Sequence, residues 1–193
     1  MKHLVLIAAL ASSATMSSAA AEKYVLDSSH SQIVFSYKHL GYSTTFGMFS
    51  GFEGEISFDQ ENPANSSVSV SMPVMSMFTG WEARDGHFMS GDFFGAEESD
   101  LVTFTSTSIE ITGETTAKIT GDLTMNDVTK SVVLDAVLNQ TGTFPFGPKQ
   151  GTPWAGFDAT TTLLRSDFNL GAFAPAVSDE VAVQISIEAA KAE

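Results

Sequence analysis

Alternation of apolar and polar residues runs through most of this chain and restricts it to folds built from β-strands. A period of two residues places every second side chain on the same face of a strand. Turn-forming pairs such as Asn62-Pro63 and Asn126-Asp127 separate the alternating runs, which predicts one antiparallel β domain. The apolar faces are Ile33, Phe35 and Tyr37; Phe46, Met48, Phe52, Ile56 and Phe58; Val68, Val70, Met72 and Val74; Val132, Leu134, Ala136 and Leu138; Phe157, Ala159, Thr161 and Leu163; and Val181, Val183, Ile185 and Ile187.

The first residues of the chain have the features of an export leader. Lys2 precedes a short apolar run, which is well below the roughly 20 residues of a membrane span. Small residues follow at the positions that a signal peptidase reads. We therefore expect a signal peptide over residues 1–21, cleavage before Glu22, and a periplasmic mature protein that is one domain over residues 22–193.

Composition excludes several classes of function. The chain has 23 acidic and 9 basic residues, a formal net charge of −14, and loss of residues 1–21 would remove one basic residue and bring it to −15. Binding to nucleic acid needs clusters of Lys and Arg, so we predict no nucleic-acid partner. The absence of cysteine excludes disulfides and thiol chemistry.

One short helix is predicted within the β domain. The segment Trp81 to Ser90 is the best candidate, with Thr79 or Gly80 near its start and Gly91 after its end. About eight strands with one apolar face each can form a sandwich or a closed barrel. A barrel of this size can be filled by side chains or can hold one ligand. The residue pattern leaves these alternatives open.

Residues suited to catalysis or metal binding are sparse. The histidines His30, His39 and His87 follow no zinc-ligand spacing, and no phosphate-binding loop or G-x-S-x-G motif occurs. We predict no metal, no cofactor and no enzymatic activity. An enzyme acting on a lipid would need a titratable pair inside the barrel, for which His39 with Asp85 or Asp92 is the candidate.

An ordered set of short motifs runs along the chain. Its positions are Tyr24–Asp27, His30-Ser31, Phe35, His39–Ser43, Gly47–Phe49, Phe52–Gly54, Ile56, Phe58, Arg84–Phe94, Thr103-Phe104, Ser106-Thr107, Gly121–Lys130, Gly156-Phe157, Asp167-Phe168 and Ser178–Val181. This set resembles the YceI-like, or polyisoprenoid-binding, family of periplasmic proteins. The resemblance covers essentially the whole mature chain, residues 22–193, although the chain lacks the family's usual aromatic–Pro pair near Ser99-Asp100.

This resemblance implies an all-β fold, a lipocalin-like antiparallel barrel of about eight strands with one short helical segment. It further implies that the protein binds a long-chain isoprenoid, an isoprenoid quinone or a related lipid inside the barrel. Some family members form dimers, so a homodimer is an expectation. A barrel with a solid core, acting in stress or protein interaction, is the alternative to a carrier.

If the barrel holds a lipid, its large side chains should contact the ligand. The residues expected to line the cavity are Phe35, Met48, Trp81, Phe88, Phe93 and Phe104. Arg84, with His39 or Tyr37 nearby, is expected to hold the polar head of the ligand, because His39 continues the inward parity of its strand and Arg84 lies in the helical segment. The competing interpretation is that Arg84 only pairs with an acidic residue and fixes the helix.

Overall fold

The computed structural model describes residues 20–193. The expected leader falls almost entirely on residues 1–19, which lie outside the described residues. The chain folds into ten strands and one α-helix: β1 (Glu22–Leu26), β2 (Gln32–His39), β3 (Ser43–Phe49), β4 (Glu53–Phe58), β5 (Ser67–Pro73), α1 (Glu82–Met89), β6 (Leu101–Ile111), β7 (Thr116–Met125), β8 (Val128–Thr143), β9 (Pro153–Leu164) and β10 (Glu180–Lys191). Short 3₁₀ turns lie at Pro63–Asn65, Val74–Ser76, Gly147–Lys149 and Arg165–Phe168. Within residues 20–193, no helix is long and apolar enough to cross a membrane.

Eight antiparallel strands form a closed barrel, in the order β1, β4, β5, β6, β7, β8, β9 and β10, with β10 pairing back to β1. The β2–β3 hairpin adds two further strands along the same edge of β10. This confirms the lipocalin-like barrel and excludes a sandwich. Closure pairs the backbone groups that an open sheet would leave at its edges.

Strand β10 differs from the other strands of the barrel because two partners share one of its edges. One edge pairs with β9 from Glu180 to Ala190. The other edge pairs first with β2, at Ala182–Ser186, and then with β1, at Ala189–Lys191. The chain leaves the sheet between β1 and β2, and there the buried hydroxyl of Ser31 donates to the carbonyl of Asp27 at 2.8 Å and lies 3.4 Å from the backbone oxygen of Glu188.

The free edge of β3 is joined to the rest of the wall by fewer hydrogen bonds than the strands of the barrel are to one another. The described residues connect it to the segment before α1 through one β-bridge, in which Met48 and Phe78 exchange two backbone hydrogen bonds of 2.9 Å. A hydrogen bond of 3.2 Å from the backbone N–H of Ser50 to the hydroxyl of Ser76 lies beside the bridge. We call this join the β3 seam.

The parity predicted for most strands is confirmed. The apolar faces of β5, β8, β9 and β10 all point to the interior of the barrel. The parity predicted for β3 is wrong, because Gly47 and Phe49 face inward whereas Phe46 and Met48 face outward. The chain breaks at Ser50–Phe52 with Gly51 at φ 68°, so the inward face changes parity between β3 and β4.

The predicted helix is confirmed as α1, which begins after Trp81 and ends before Ser90. Thr79 fixes its first turn, since the backbone N–H of Thr79 donates to Asp85 at 2.9 Å and the hydroxyl of Thr79 donates to the same carboxylate. The predicted turn at Asn126-Asp127 is also present. Both residues have positive φ, 50° and 60°, as a two-residue hairpin requires.

The strand parity of β10 predicts opposite effects for adjacent residues. Val183 is buried and faces inward, whereas its neighbour Gln184 is exposed. Val183→Asp should lose about 3–5 kcal/mol of stability, because the new carboxylate is buried without a partner. Gln184→Asp should change the stability by less than about 0.5 kcal/mol. Urea unfolding of both variants measures this, and equal losses would contradict the assignment of faces.

Candidate functional site

The interior of the barrel is an open cavity of about 310 Å³. It runs from the helical end of the barrel, where Phe88 and Phe93 border it, to the β6–β7 turn at Gly113–Thr116. Most of the lining side chains are aliphatic or aromatic. The volume lies at the lower end of the range for small-molecule sites, about 300–1,000 Å³. An open apolar cavity of this kind differs from the solid core that the residue pattern had left as an alternative.

Two aromatic rings lie flat against the wall because each covers a glycine. A Cβ added to Gly47 would lie 2.3 Å from the Cζ atom of Phe35, the residue paired with Gly47 across the β2–β3 ladder. A Cβ added to Gly121 would likewise lie 2.3 Å from the Cζ atom of Phe104. The missing side chains therefore allow both rings to lie against the backbone instead of extending into the cavity.

A cluster of aromatic residues covers the helical end of the cavity. The ring of Phe88, on α1, packs edge-on against Tyr37 and Phe93, with centroids 6.0 and 5.0 Å apart. The rings of Phe93, His87 and Phe173 also contact one another. The centroids are 5.2 Å apart for His87 and Phe93, 6.2 Å for His87 and Phe173, and 5.9 Å for Phe93 and Phe173. Such edge-to-face pairs favour one relative orientation of the rings. Helix α1 is thereby anchored over the barrel by side chains that also line the cavity.

The structure brings together five of the nine residues expected at the site. Those bordering the cavity are Phe35, Tyr37, Phe88, Phe93 and Phe104. Met48 lies outside it because of the reversed parity of β3. Trp81 also lies outside, 63% exposed in a shallow groove with Met75 and Phe78, because it precedes α1 on the solvent side. Contact with a ligand remains a prediction for each residue.

Arg84 points away from the cavity. Its Nε donates to the hydroxyl of Thr79 at 2.8 Å and its Nη2 donates to the carbonyl of Thr79 at 2.6 Å. The guanidinium also lies 5.9 Å from the ring of Trp81. This geometry matches the structural interpretation in which Arg84 fixes the helix, although its partner is Thr79 and not an acidic side chain.

The histidines are engaged outside the cavity. His39 is exposed at the end of β2, where it forms a β-bridge with Val177. Asp92 accepts a hydrogen bond of 3.0 Å from His87, and Asp85 contacts Thr79. The structure therefore gives His39 neither of the two acidic partners, Asp85 and Asp92, named above as the candidate pair for a lipid-modifying enzyme.

Among residues 20–193, the cation that borders the cavity is Arg165, which the sequence analysis missed. It follows β9 and continues the inward parity of Phe157, Ala159, Thr161 and Leu163, so extending that pattern by one step would have found it. Its guanidinium donates to four backbone carbonyls of the segment before β10, namely those of Leu170, Ala172, Val177 and Ser178. These hydrogen bonds hold the segment and fix the orientation of the side chain.

Asp179 balances the charge of Arg165. Burial lowers the pKa of Arg165, while Asp179 and Tyr37 act in the opposite direction. The carboxylate of Asp179 accepts two hydrogen bonds from Ser166, at 2.8 and 2.6 Å from its backbone N–H and hydroxyl. These bonds, together with the nearby Arg165, keep the pKa of Asp179 below its usual value, although burial opposes them. Asp179 is therefore an anion at neutral pH.

A closed antiparallel barrel that surrounds an apolar cavity under a helical cap belongs to the lipocalin-like class of proteins. Residues 24–189 match the YceI-like domain family. The chain is a member of the YceI-like family.

Known relatives agree with this assignment. The UPF0312 protein of Ectopseudomonas mendocina (strain ymp) is 42% identical over 172 residues, which are 88% of each chain. The solved structure of the Campylobacter jejuni YCEI protein is similar with a TM-score of 0.71 and 31% identity, over 81% of this chain and 90% of that one. A polyisoprenoid binding domain from Saccharophagus degradans shares the fold, with a TM-score of 0.66 and 14% identity over 88% and 98% of the two chains.

The contact between Gly47 and Phe35 predicts that one methyl group can shrink the cavity. In Gly47→Ala the new Cβ should push the ring of Phe35 into the open space, so binding of a fluorescent long-chain probe should weaken. Stability should change by less than about 1 kcal/mol, because the ring has room to move, unlike the side chains of an overpacked core. The matched control is Gly142→Ala, where the nearest atom would lie at an ordinary 3.7 Å. Unchanged probe binding in Gly47→Ala would contradict this account.

Proposed function

We propose that this protein binds one long-chain amphiphile, with an isoprenoid or isoprenoid-quinone chain inside the barrel, and carries or stores it. The observation that carries the proposal is the apolar cavity, which is continuous from α1 to the β6–β7 turn. The occurrence of the same fold in a polyisoprenoid binding domain supports it.

The length of the cavity suits an extended hydrocarbon chain. Strands β9 and β10 each have 12 residues. With a rise of about 3.3 Å per residue and a tilt near 40°, the wall is roughly 30 Å high, about the reach of five or so isoprene units. A longer chain would have to bend or extend beyond the barrel.

Burial of a chain supplies enough free energy for binding without many polar contacts. Each buried CH₂ group contributes about 0.8 kcal/mol, so fifteen carbons give about 12 kcal/mol. This exceeds the cost of association in lost freedom over most of its range of roughly 4–15 kcal/mol. A long isoprenoid is nearly insoluble in water, so a protein that encloses the chain would serve to move or hold it between membranes.

The location of the protein forms part of the proposal. We place it in the bacterial periplasm, exported through the leader expected at residues 1–21. Sequencing the amino terminus of the exported protein should give Glu22 as the first residue. An intact Met1 on exported material would contradict both the leader and the location. The expected homodimer stays a prediction that the mass of the protein in solution can test.

The binding function itself is tested by native mass spectrometry of protein purified from a bacterial host. We expect an additional mass that corresponds to one lipid and that disappears when the protein is unfolded and extracted with organic solvent. Gly47→Ala, with the smaller cavity, should retain less of this lipid than Gly142→Ala. A protein that stays empty even after incubation with isoprenoid quinones would contradict the proposal, and conversion of the bound lipid to a product would indicate an enzyme instead.

A further inference from the structure

The helical end of the cavity differs chemically from its remaining wall. Tyr37 and Arg165 border the cavity there, and each contacts one ring of the Phe88–Phe93 pair. The ring of Tyr37 lies 6.0 Å from that of Phe88, and the guanidinium carbon of Arg165 lies 6.0 Å from the centroid of Phe93. The rings of Phe88 and Phe93 are themselves 5.0 Å apart. A phenol and a guanidinium therefore lie together beneath α1.

The hydroxyl of Tyr37 is available to a ligand. The side chain is 7% exposed and borders the cavity, and its Oη makes no hydrogen bond with residues 20–193. No side-chain nitrogen or oxygen in this part of the chain is fully enclosed without a partner. The Oη atom of Tyr37 must therefore retain some accessible surface, and the cavity is the space that its side chain borders. A buried hydroxyl normally has a hydrogen-bond partner.

Arg165 has one remaining donor. A guanidinium carries five N–H groups in a fixed plane. Four hydrogen bonds to backbone carbonyls use the Nε atom, both positions on Nη1 and one on Nη2. One N–H of Nη2 is left over. The end of the cavity therefore offers two donors, one from Tyr37 and one from Arg165.

The charges at this end favour a neutral ligand group. The positive charge of Arg165 already lies near the carboxylate of Asp179. A diphosphate would bring at least two negative charges to a site with two free donors and a compensated cation, so much of its charge would be buried without a partner. At the opposite end Glu114, Thr115 and Thr116 border the cavity, so the described residues place hydroxyls and a carboxyl group there but no cation.

We propose, on the basis of the function proposed above, that Tyr37 and Arg165 bind the head of the ligand, and that this head is an uncharged hydrogen-bond acceptor such as a quinone carbonyl. The isoprenoid chain then extends along the apolar wall towards the β6–β7 turn. Arg165 orients the segment before β10 and the head at the same time, whereas Tyr37 contributes only its hydroxyl. Tyr37 is therefore the residue to change.

The test compares three probes that carry chains of similar length and different heads: a tetraprenyl quinone, geranylgeranyl diphosphate and the hydrocarbon phytane. Affinities are measured on the delipidated protein by displacement of a fluorescent long-chain probe. Tyr37→Phe should weaken quinone binding roughly 2- to 12-fold, the equivalent of one hydrogen bond, and leave phytane binding unchanged. Tyr42→Phe is the matched control, since Tyr42 is 91% exposed at the β2–β3 turn.

Each of the other possible results contradicts a different part of the proposal. Equal loss of quinone and phytane binding in Tyr37→Phe would mean that the residue only shapes the cavity. Unchanged quinone binding in this variant would place the head elsewhere. Tighter binding of the diphosphate than of the quinone by the unmodified protein would contradict the neutral head. Failure of the unmodified protein to bind any of the three probes would contradict the proposed lipid-binding function itself.

Discussion

The pairing of β10 along both of its edges is the interaction on which the rest of the structure depends. One edge is occupied by β9, and the other is shared by β2 and β1 in succession. This sharing closes the ring of eight strands and also attaches the β2–β3 hairpin. Ser31 lies where the chain passes from one partner to the next, and its buried hydroxyl supplies polar contacts where the ladder is interrupted. Without β10 the barrel would not close around the cavity, and the β2–β3 hairpin would have no strand to pair with.

A barrel of eight strands is close to the size at which side chains fill the interior, so an open cavity needs an explanation. Here the largest side chains are displaced to the wall or to the ends. Phe35 and Phe104 lie over glycines, and Phe88 and Phe93 pack under α1. Fully buried residues such as Tyr24 and Phe168 lie outside the lining of the cavity. The protein thus divides its aromatic residues between a packed region, which provides stability, and a lining, which borders empty space.

Much of the fold could be predicted from the sequence, since period-two alternation reports directly on which face of a strand is buried. The prediction failed at β3 because one positive-φ glycine, Gly51, shifted the parity of the chain without leaving a gap in the apolar pattern. The site was harder to predict than the fold. Arg84 was considered because it lies in the helix, yet hydrogen bonds to Thr79 direct it elsewhere, whereas Arg165 lay one step beyond an alternating run. Tertiary contacts decide which way such a side chain points, and the sequence pattern alone does not show them.

The β3 seam has a consequence for how a bulky molecule enters the closed barrel. Opening the seam breaks the two hydrogen bonds between Met48 and Phe78 and the one between Ser50 and Ser76. At about 0.5–1.5 kcal/mol each, the three hydrogen bonds cost roughly 1.5–4.5 kcal/mol, below the 5–15 kcal/mol of a typical global unfolding. Bending β3 outward while β2 stays paired with β10 leaves all eight strands of the ring paired. The opening lies beside α1 only, because the pairing of β1 with β4 and β10 keeps the other half of the wall closed, so the seam widens the mouth of the barrel for a bulky ligand.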